Sequence, residues 1–164
     1  MKERPMNLPQ QAKKSFWFWL AVFFGSGLAP KAPGTFGTLA SLLLWIPLLY
    51  LKLLWWQLVI IIVVISVVGT VAAQKASELL NNEDPKEVVI DEVAGQGIAF
   101  LFCPLGWPWF VAAFVFFRFF DILKPWPVGW IDKNLHGGLG IMADDLVAGL
   151  YALGCVQLLL HFLG

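Results

Sequence analysis

An all-α fold, a polytopic membrane bundle of about five membrane helices with an N-terminal re-entrant or interfacial helix, is what this sequence predicts. Three observations carry that expectation. The chain is 59% hydrophobic and only 13% charged, about half the charged share of an ordinary soluble domain. Residues 55–73 hold no charged side chain in 19 positions, close to the ~20 that cross a bilayer as a helix. The basic residues also fall almost wholly on one side of the apolar runs, as the positive-inside rule asks. At 164 residues with zero formal charge, the chain suits one domain and offers no basic field for nucleic acid.

Residues 1–15 read as a cytoplasmic N-terminal tail and 16–164 as one membrane-embedded domain. Lys13 and Lys14 precede an apolar stretch at 16–24. No small-residue cleavage pattern follows it, so the stretch reads as part of the fold rather than as a signal. It is too short to cross alone and enters a turn-rich loop at 25–37, which suits a re-entrant or interfacial helix. The apolar runs follow at 37–51, 55–73, 88–102, 107–123 and 145–163. The first is short for a span, and the third opens on two acids.

With the N-terminus inside, Lys2, Arg4, Lys13, Lys14, Lys31, Lys75, Lys86, Arg118, Lys124 and Lys133 share one side, and only Lys52 lies opposite. Trp55, Trp56, Trp107 and Trp109 then mark the outer boundary, and Trp17, Trp19, Trp126 and Trp130 the inner one, as in an aromatic belt. Every carboxylate also falls on the cytoplasmic side. Any active site therefore faces the cytoplasm.

Six of those acids gather near helix ends: Asp91, Glu92, Asp121, Asp132, Asp144 and Asp145. A charge at membrane depth costs at least roughly 2.5–3.5 kcal/mol, so acids there need partners. Arg118, Lys124 and Lys133 leave an excess of negative charge, which one or two divalent cations would offset. Carboxylate oxygens with few histidines suit a hard ion, Mg²⁺ rather than Zn²⁺.

Each acid also has a plainer reading. Asp144 and Asp145 precede an apolar run and suit a helix cap. Asp91 and Glu92 suit a solvated first turn after Asp84-Pro85. Asp121 is the hardest to explain away, because it sits at a helix C-terminus, where the dipole disfavours an anion. Arg118 and Lys124 lie three residues to either side of it. The trio reads either as an ion-pair ladder or as a cation ligand flanked by two phosphate-binding side chains. Asp132 and Lys133 fall in the following loop. His136 opens His-Gly-Gly-Leu-Gly, a flexible loop whose amides suit an anion. Thr35 and Thr38 either cap the next helix or, with neighbouring amides, bind phosphate. Gly95 and Gly97, with Ala148, Gly149 and Ala152, would let helices approach closely and bring their acidic ends together. Cys103 and Cys155 have no metal-site spacing and read as packing residues.

Four blocks, in order, resemble the phosphatidylglycerophosphatase A family: Gly-Ser-Gly-Leu-Ala-Pro…Pro-Gly-Thr-Phe-Gly-Thr at 25–38, Asp-Glu-Val-Ala-Gly-Gln at 91–96, Phe-Arg-Phe-Phe-Asp-Ile-Leu-Lys-Pro-Trp-Pro at 117–127, and His-Gly-Gly-Leu-Gly-Ile-Met-Ala-Asp-Asp-Leu-Val-Ala-Gly at 136–149. The resemblance implies a mainly helical, Mg²⁺-dependent lipid phosphatase of the bacterial inner membrane. It would hydrolyse phosphatidylglycerophosphate to phosphatidylglycerol and inorganic phosphate. It also implies a site drawn from Asp91, Glu92, Arg118, Asp121, Lys124, Asp132, Asp144 and Asp145.

Within that set, Mg²⁺ is expected on Glu92, Asp121 and Asp145, with Asp91 and Asp144 assisting. Arg118 and Lys124, with Thr35, Thr38 and His136, are expected to receive the substrate phosphate. Attack by water with one carboxylate as base is the expected mechanism, and a phospho-aspartyl intermediate the other route. Neither cysteine precedes an Arg-bearing phosphate loop, which removes the cysteine-phosphatase class. The alternative outside enzymes is divalent-cation binding or transport, which would spread acids through the membrane depth.

Overall fold

The computed structural model describes residues 8–163. Lys2 and Arg4, counted above for orientation, lie outside them. The described chain forms helices and no strand: α1 (Gln10–Lys14), α2 (Phe16–Ala21), a 3-10 turn (Phe23–Leu28), α3 (Pro33–Tyr50), α4 (Trp55–Leu80), α5 (Ile90–Ala99), α6 (Trp107–Leu123), α7 (Val128–Asn134) and α8 (Gly137–Leu163). The all-α expectation holds.

Among the described residues, α3, α4 and α8 are long and apolar enough to cross a membrane. The 37–51 run gains its length at the front. Pro33 is pre-set for a first helical turn, so α3 starts there and reaches 18 residues. α6, at 17 residues, stands at the short end of the usual spanning range of ~17–25. The 88–102 run is helical over only ten residues, a length of about 15 Å.

α5 is the centre of the bundle. Glu92 to Phe100 are all buried, and α3, α4, α6 and α8 each pack against α5. Glycine makes this approach possible. A Cβ on Gly95 would sit 2.5 Å from the Phe117 ring and 2.6 Å from the carbonyl oxygen of Asp145, while one on Gly149 would strike the Gly95 carbonyl. α5 and α8 thus meet backbone to backbone. Further along, Gln157 Nε2 donates to the Leu101 carbonyl at 3.4 Å, so the two segments stay side by side. On the α3 side, Trp45 lies over Gly97 and its indole donates to the Val93 carbonyl at 2.8 Å.

The outside is as apolar as the inside. Ile60, Val63, Val64, Val67, Val68 and Val71 of α4 are all exposed, which fits a surface facing lipid rather than water. The N-terminal stretch differs from a single helix. Phe23 and Phe24 take positive φ angles of 41° and 55°, and with Gly25 they turn the chain back after α2. Phe18, Ala21 and Val22 are buried while Phe16 and Phe24 remain exposed. α2 packs on α4, and so does α1, whose Ala12 is buried.

Candidate active site

The end of the bundle where α5 and α8 begin and α6 stops holds one cavity with strongly acidic walls. Asp91 and Glu92 enter it from the first turn of α5. Asp121 comes from the last turn of α6, and Lys124 follows in a left-handed conformation, φ 46°, that ends the helix and redirects the chain. Asp132 comes from α7, and Asp144 and Asp145 from α8.

Several local expectations change here. Asp144 and Asp145 do not cap α8, because the helix starts at Gly137. Both acids therefore sit about two turns inside it and are buried at 6% and 2% exposure. The His136-Gly-Gly-Leu-Gly segment is not a flexible loop. Its glycines form the first turn of α8, and Gly138 donates to Gln74 Oε1 of α4 at 2.9 Å. A Cβ on Gly138 would collide with the Gln74 backbone, so close packing rather than mobility explains the glycine. Asp132 and Lys133 are helical in α7 rather than looped. Lys133 is exposed, while Asp132 reaches the cavity.

The ion pairs divide the two cations. Arg118 Nη1 lies 3.0 Å from Glu92 Oε2 and 2.5 Å from Asp121 Oδ2. Lys124 turns away from Asp121, pairing with Asp132 and, at 2.8 Å, with Asp144 Oδ2. Arg118 and Lys124 therefore do not flank Asp121 on one face, because the left-handed residue at 124 breaks the helical spacing. Burial works against the Lys124 charge. Its hydrogen bonds to Asp132 and Asp144 outweigh that and hold its pKa above the ordinary lysine value.

Lys124 lines the cavity, whereas the Arg118 guanidinium stands behind Glu92 and Asp121. Thr38 is fully buried. Its hydroxyl hydrogen-bonds to the Glu92 carboxylate and accepts from Arg118 Nη1 at 3.3 Å. Neither Thr38 nor Thr35 is part of the cavity wall or caps α3, whose N-cap is Ala32. His136 is at the cavity and exposed.

The six carboxylates expected from the sequence thus share the site with two paired cations. As placed, no three Asp, Glu, His or Cys side chains among the described residues form a group able to hold a metal ion. The cavity does carry unmet bonding capacity. Buried oxygens of Asp91 (Oδ1), Asp144 (Oδ1) and Asp145 (Oδ2) have no partner among the described residues. Two wall residues escaped the sequence reading, Glu83 and Asp84. Their signal was the Asp84-Pro85 turn, read above only as a lead-in to Asp91.

The model of the phosphatidylglycerophosphatase A family matches residues 19–160. The chain belongs to that family. A phosphatidylglycerophosphatase A of Escherichia coli is 40% identical over 149 residues, covering 90% of this chain and 83% of the relative. One of Haemophilus influenzae is 43% identical over 134 residues, covering 81% and 82%. A relative from Bacteroides thetaiotaomicron, 43% identical over 136 residues and covering 79% and 84%, carries the provisional name phosphatidylinositol-3-phosphatase. No solved structure matches the chain.

The four blocks of this phosphatidylglycerophosphatase A family member meet in space. Block 91–96 supplies Asp91 and Glu92, and block 117–127 supplies Arg118, Asp121 and Lys124. Block 136–149 supplies His136, Asp144 and Asp145. Block 25–38 supplies the support behind them. A Cβ on Gly34 would run into the Glu92 carboxylate and come within 3.3 Å of Arg118 Nη1. Only a glycine lets α3 start against this ion pair.

Proposed function

We propose that the chain is a Mg²⁺-dependent lipid phosphatase that hydrolyses phosphatidylglycerophosphate to phosphatidylglycerol and inorganic phosphate. The active site would face the cytoplasm from the bacterial inner membrane. The observation that carries this reading is the acidic cavity, two turns below the start of α8, in a chain of this family. A scissile phosphate in a lipid headgroup lies near that depth while its acyl chains stay in the bilayer. The one-sided distribution of lysine and arginine supports the orientation.

The donor set fits a hard cation. The orphaned oxygens of Asp91, Asp144 and Asp145, with Glu92 and Asp121 beside them, are all carboxylate oxygens. Bound Mg²⁺ would neutralise charge on the equatorial phosphate oxygens and ease deprotonation of the attacking water. The remaining work falls to the chain. Lys124 contacts the phosphate, exchanging part of its bonding to Asp132 and Asp144 for the substrate oxygens. Arg118 and Thr38 hold Glu92 in place. One cavity carboxylate takes the proton of water as the new P–O bond forms, and the glycerol oxygen leaves as the bond to it breaks, taking up a proton from a protonated cavity carboxyl to give the free hydroxyl.

Phosphate release from purified protein in lipid-detergent micelles tests the reading. Chelation should abolish release and added Mg²⁺ restore it. Undiminished release in chelator removes the metal, and no release from phosphatidylglycerophosphate while phosphatidylinositol 3-phosphate is cleaved reassigns the substrate. Acid quench of a phosphoryl-labelled substrate separates the two chemical routes, since label left on the protein and freed by hydroxylamine would establish an aspartyl intermediate. Lys124→Met should raise KM at least about tenfold, as expected for a charge-assisted phosphate contact worth ~1.5–3 kcal/mol. An unchanged KM would take Lys124 out of substrate binding.

A further inference from the structure

Beneath the cavity lies a polar side chain that the proposed chemistry leaves unused. Gln96 is completely buried, and neither its amide oxygen nor its amide nitrogen has a hydrogen-bond partner among the described residues. An amide buried in that way is costly, and buried polar groups in folded proteins nearly always find partners.

Its position identifies the partner. Gln96 follows Glu92 by four residues, which puts both on one side of α5, a single turn apart. Gly95, one residue before it, faces Phe117 of α6, and Gly97, one residue after it, faces Trp45 of α3. Gln96 therefore points between those two neighbours, into the seam between α3 and α6. That seam is where Glu92 already joins Thr38 of α3 to Arg118 of α6.

Arg118 has a matching deficit. Its bonds to Glu92, Asp121 and Thr38 all run through Nη1, while its Nε–H is buried with no acceptor among the described residues. A guanidinium held through one nitrogen can swing about it, and a second hydrogen bond at Nε fixes its plane.

We propose that Gln96 is a positioning residue for Arg118. Its amide oxygen accepts the Nε–H of Arg118, directly or through one buried water, and so holds the guanidinium that sets Glu92 and Asp121 at the cavity. Direct and water-mediated bonds serve alike over the one-turn separation. The inference rests on the phosphatase reading only for its kinetic consequence.

The chain has two arginines, Arg4 and Arg118, so arginine labelled with ¹⁵N gives two Nε–H resonances, which Arg118→Lys assigns. In the native protein the Arg118 Nε–H should exchange with solvent far more slowly than that of free arginine. In Gln96→Leu it should exchange at least about tenfold faster, and kcat should fall about ten- to hundredfold with KM within about twofold, the scale for removing an outer-shell partner. The folding temperature should not fall, because Leu needs no partner in the seam. Gln96→Met, unbranched like glutamine, is the second variant. In an Arg118→Lys background, Gln96→Leu should change kcat by less than about twofold.

Exchange at Arg118 as fast as in free arginine overturns the inference whatever the variants do. Unchanged exchange in Gln96→Leu, or an equal kcat loss in both backgrounds, overturns it as well. The exchange measurement needs no substrate. Failure of the native protein to cleave phosphatidylglycerophosphate would therefore sink the functional reading without touching this one.

Discussion

Asp145→Asn should lower phosphate release by about 10²–10³-fold, the scale for losing one preorganised electrostatic group, while the protein stays folded. Asp145 is 2% exposed and its Oδ2 has no partner among the described residues. It shares the cavity with Asp91, Glu92, Asp121 and Asp144. Asparagine keeps the shape and removes one negative charge from a set of like charges, so without metal the folding temperature should hold or rise.

Magnesium should raise the folding temperature of the native protein by ligand linkage, and that increment should shrink in the variant. The nine tryptophans give the fluorescence signal that follows both. Asp121→Asn should lower release on the same scale, but the loss of its 2.5 Å ion pair with Arg118 should also lower the folding temperature. The control is Glu78→Gln, an exposed acid on α4 paired with Lys75 at 3.0 Å, where neither activity nor folding temperature should change. Near-native turnover in Asp145→Asn would remove this carboxylate from the metal and reaction chemistry.

Gly95→Ala should cost about 1–3 kcal/mol or more of stability, as overpacked cores do, and most of the activity with it. The added Cβ would meet the Phe117 ring at 2.5 Å and the Asp145 carbonyl oxygen at 2.6 Å. A ring can shift, but the second obstacle is the backbone of α8 at the very residue that delivers an acid to the cavity. Relief of the clash therefore moves Asp145 away from Glu92. Gly154→Ala lies in α8 with nothing within 4 Å of the new Cβ. It should be neutral or stabilising by up to about 1 kcal/mol, since alanine is the better helix former. Thermal unfolding of the pair reads the difference. A Gly95→Ala protein as stable and active as Gly154→Ala would mean that α5 and α8 need no such approach.

Much of this molecule is legible along the chain. Low charge content and an uncharged run at 55–73 required helices, because a backbone out of reach of water must bond within its own segment. Asp121 could be singled out because a carboxylate at a helix C-terminus opposes the dipole. Asp91 and Glu92 were legible as a first turn, and that is where they lie, but in the cavity wall with Glu92 buried rather than solvated.

What stayed hidden depended on where helices start and what crosses between them. Asp144 and Asp145 looked like caps because three glycines precede them, and glycine is a poor helix former. Packing of Gly138 on Gln74 extends α8 back to Gly137 and turns two surface acids into buried ones. Lys124 looked like a partner of Asp121 by spacing, until the left-handed residue at the helix end sent it to Asp132 and Asp144.

The sequence by itself determined that this protein is a helical membrane bundle of the phosphatidylglycerophosphatase A family, and which acids are candidates for its site. Composition and motif are local properties, and they survive without coordinates. Only the tertiary structure decided which cation serves which acid, which carboxylate oxygens are left without partners, and that Gln96 and Arg118 share one seam. Those are distances between residues far apart in sequence, such as the 54 positions between Thr38 and Glu92, and no local pattern encodes them.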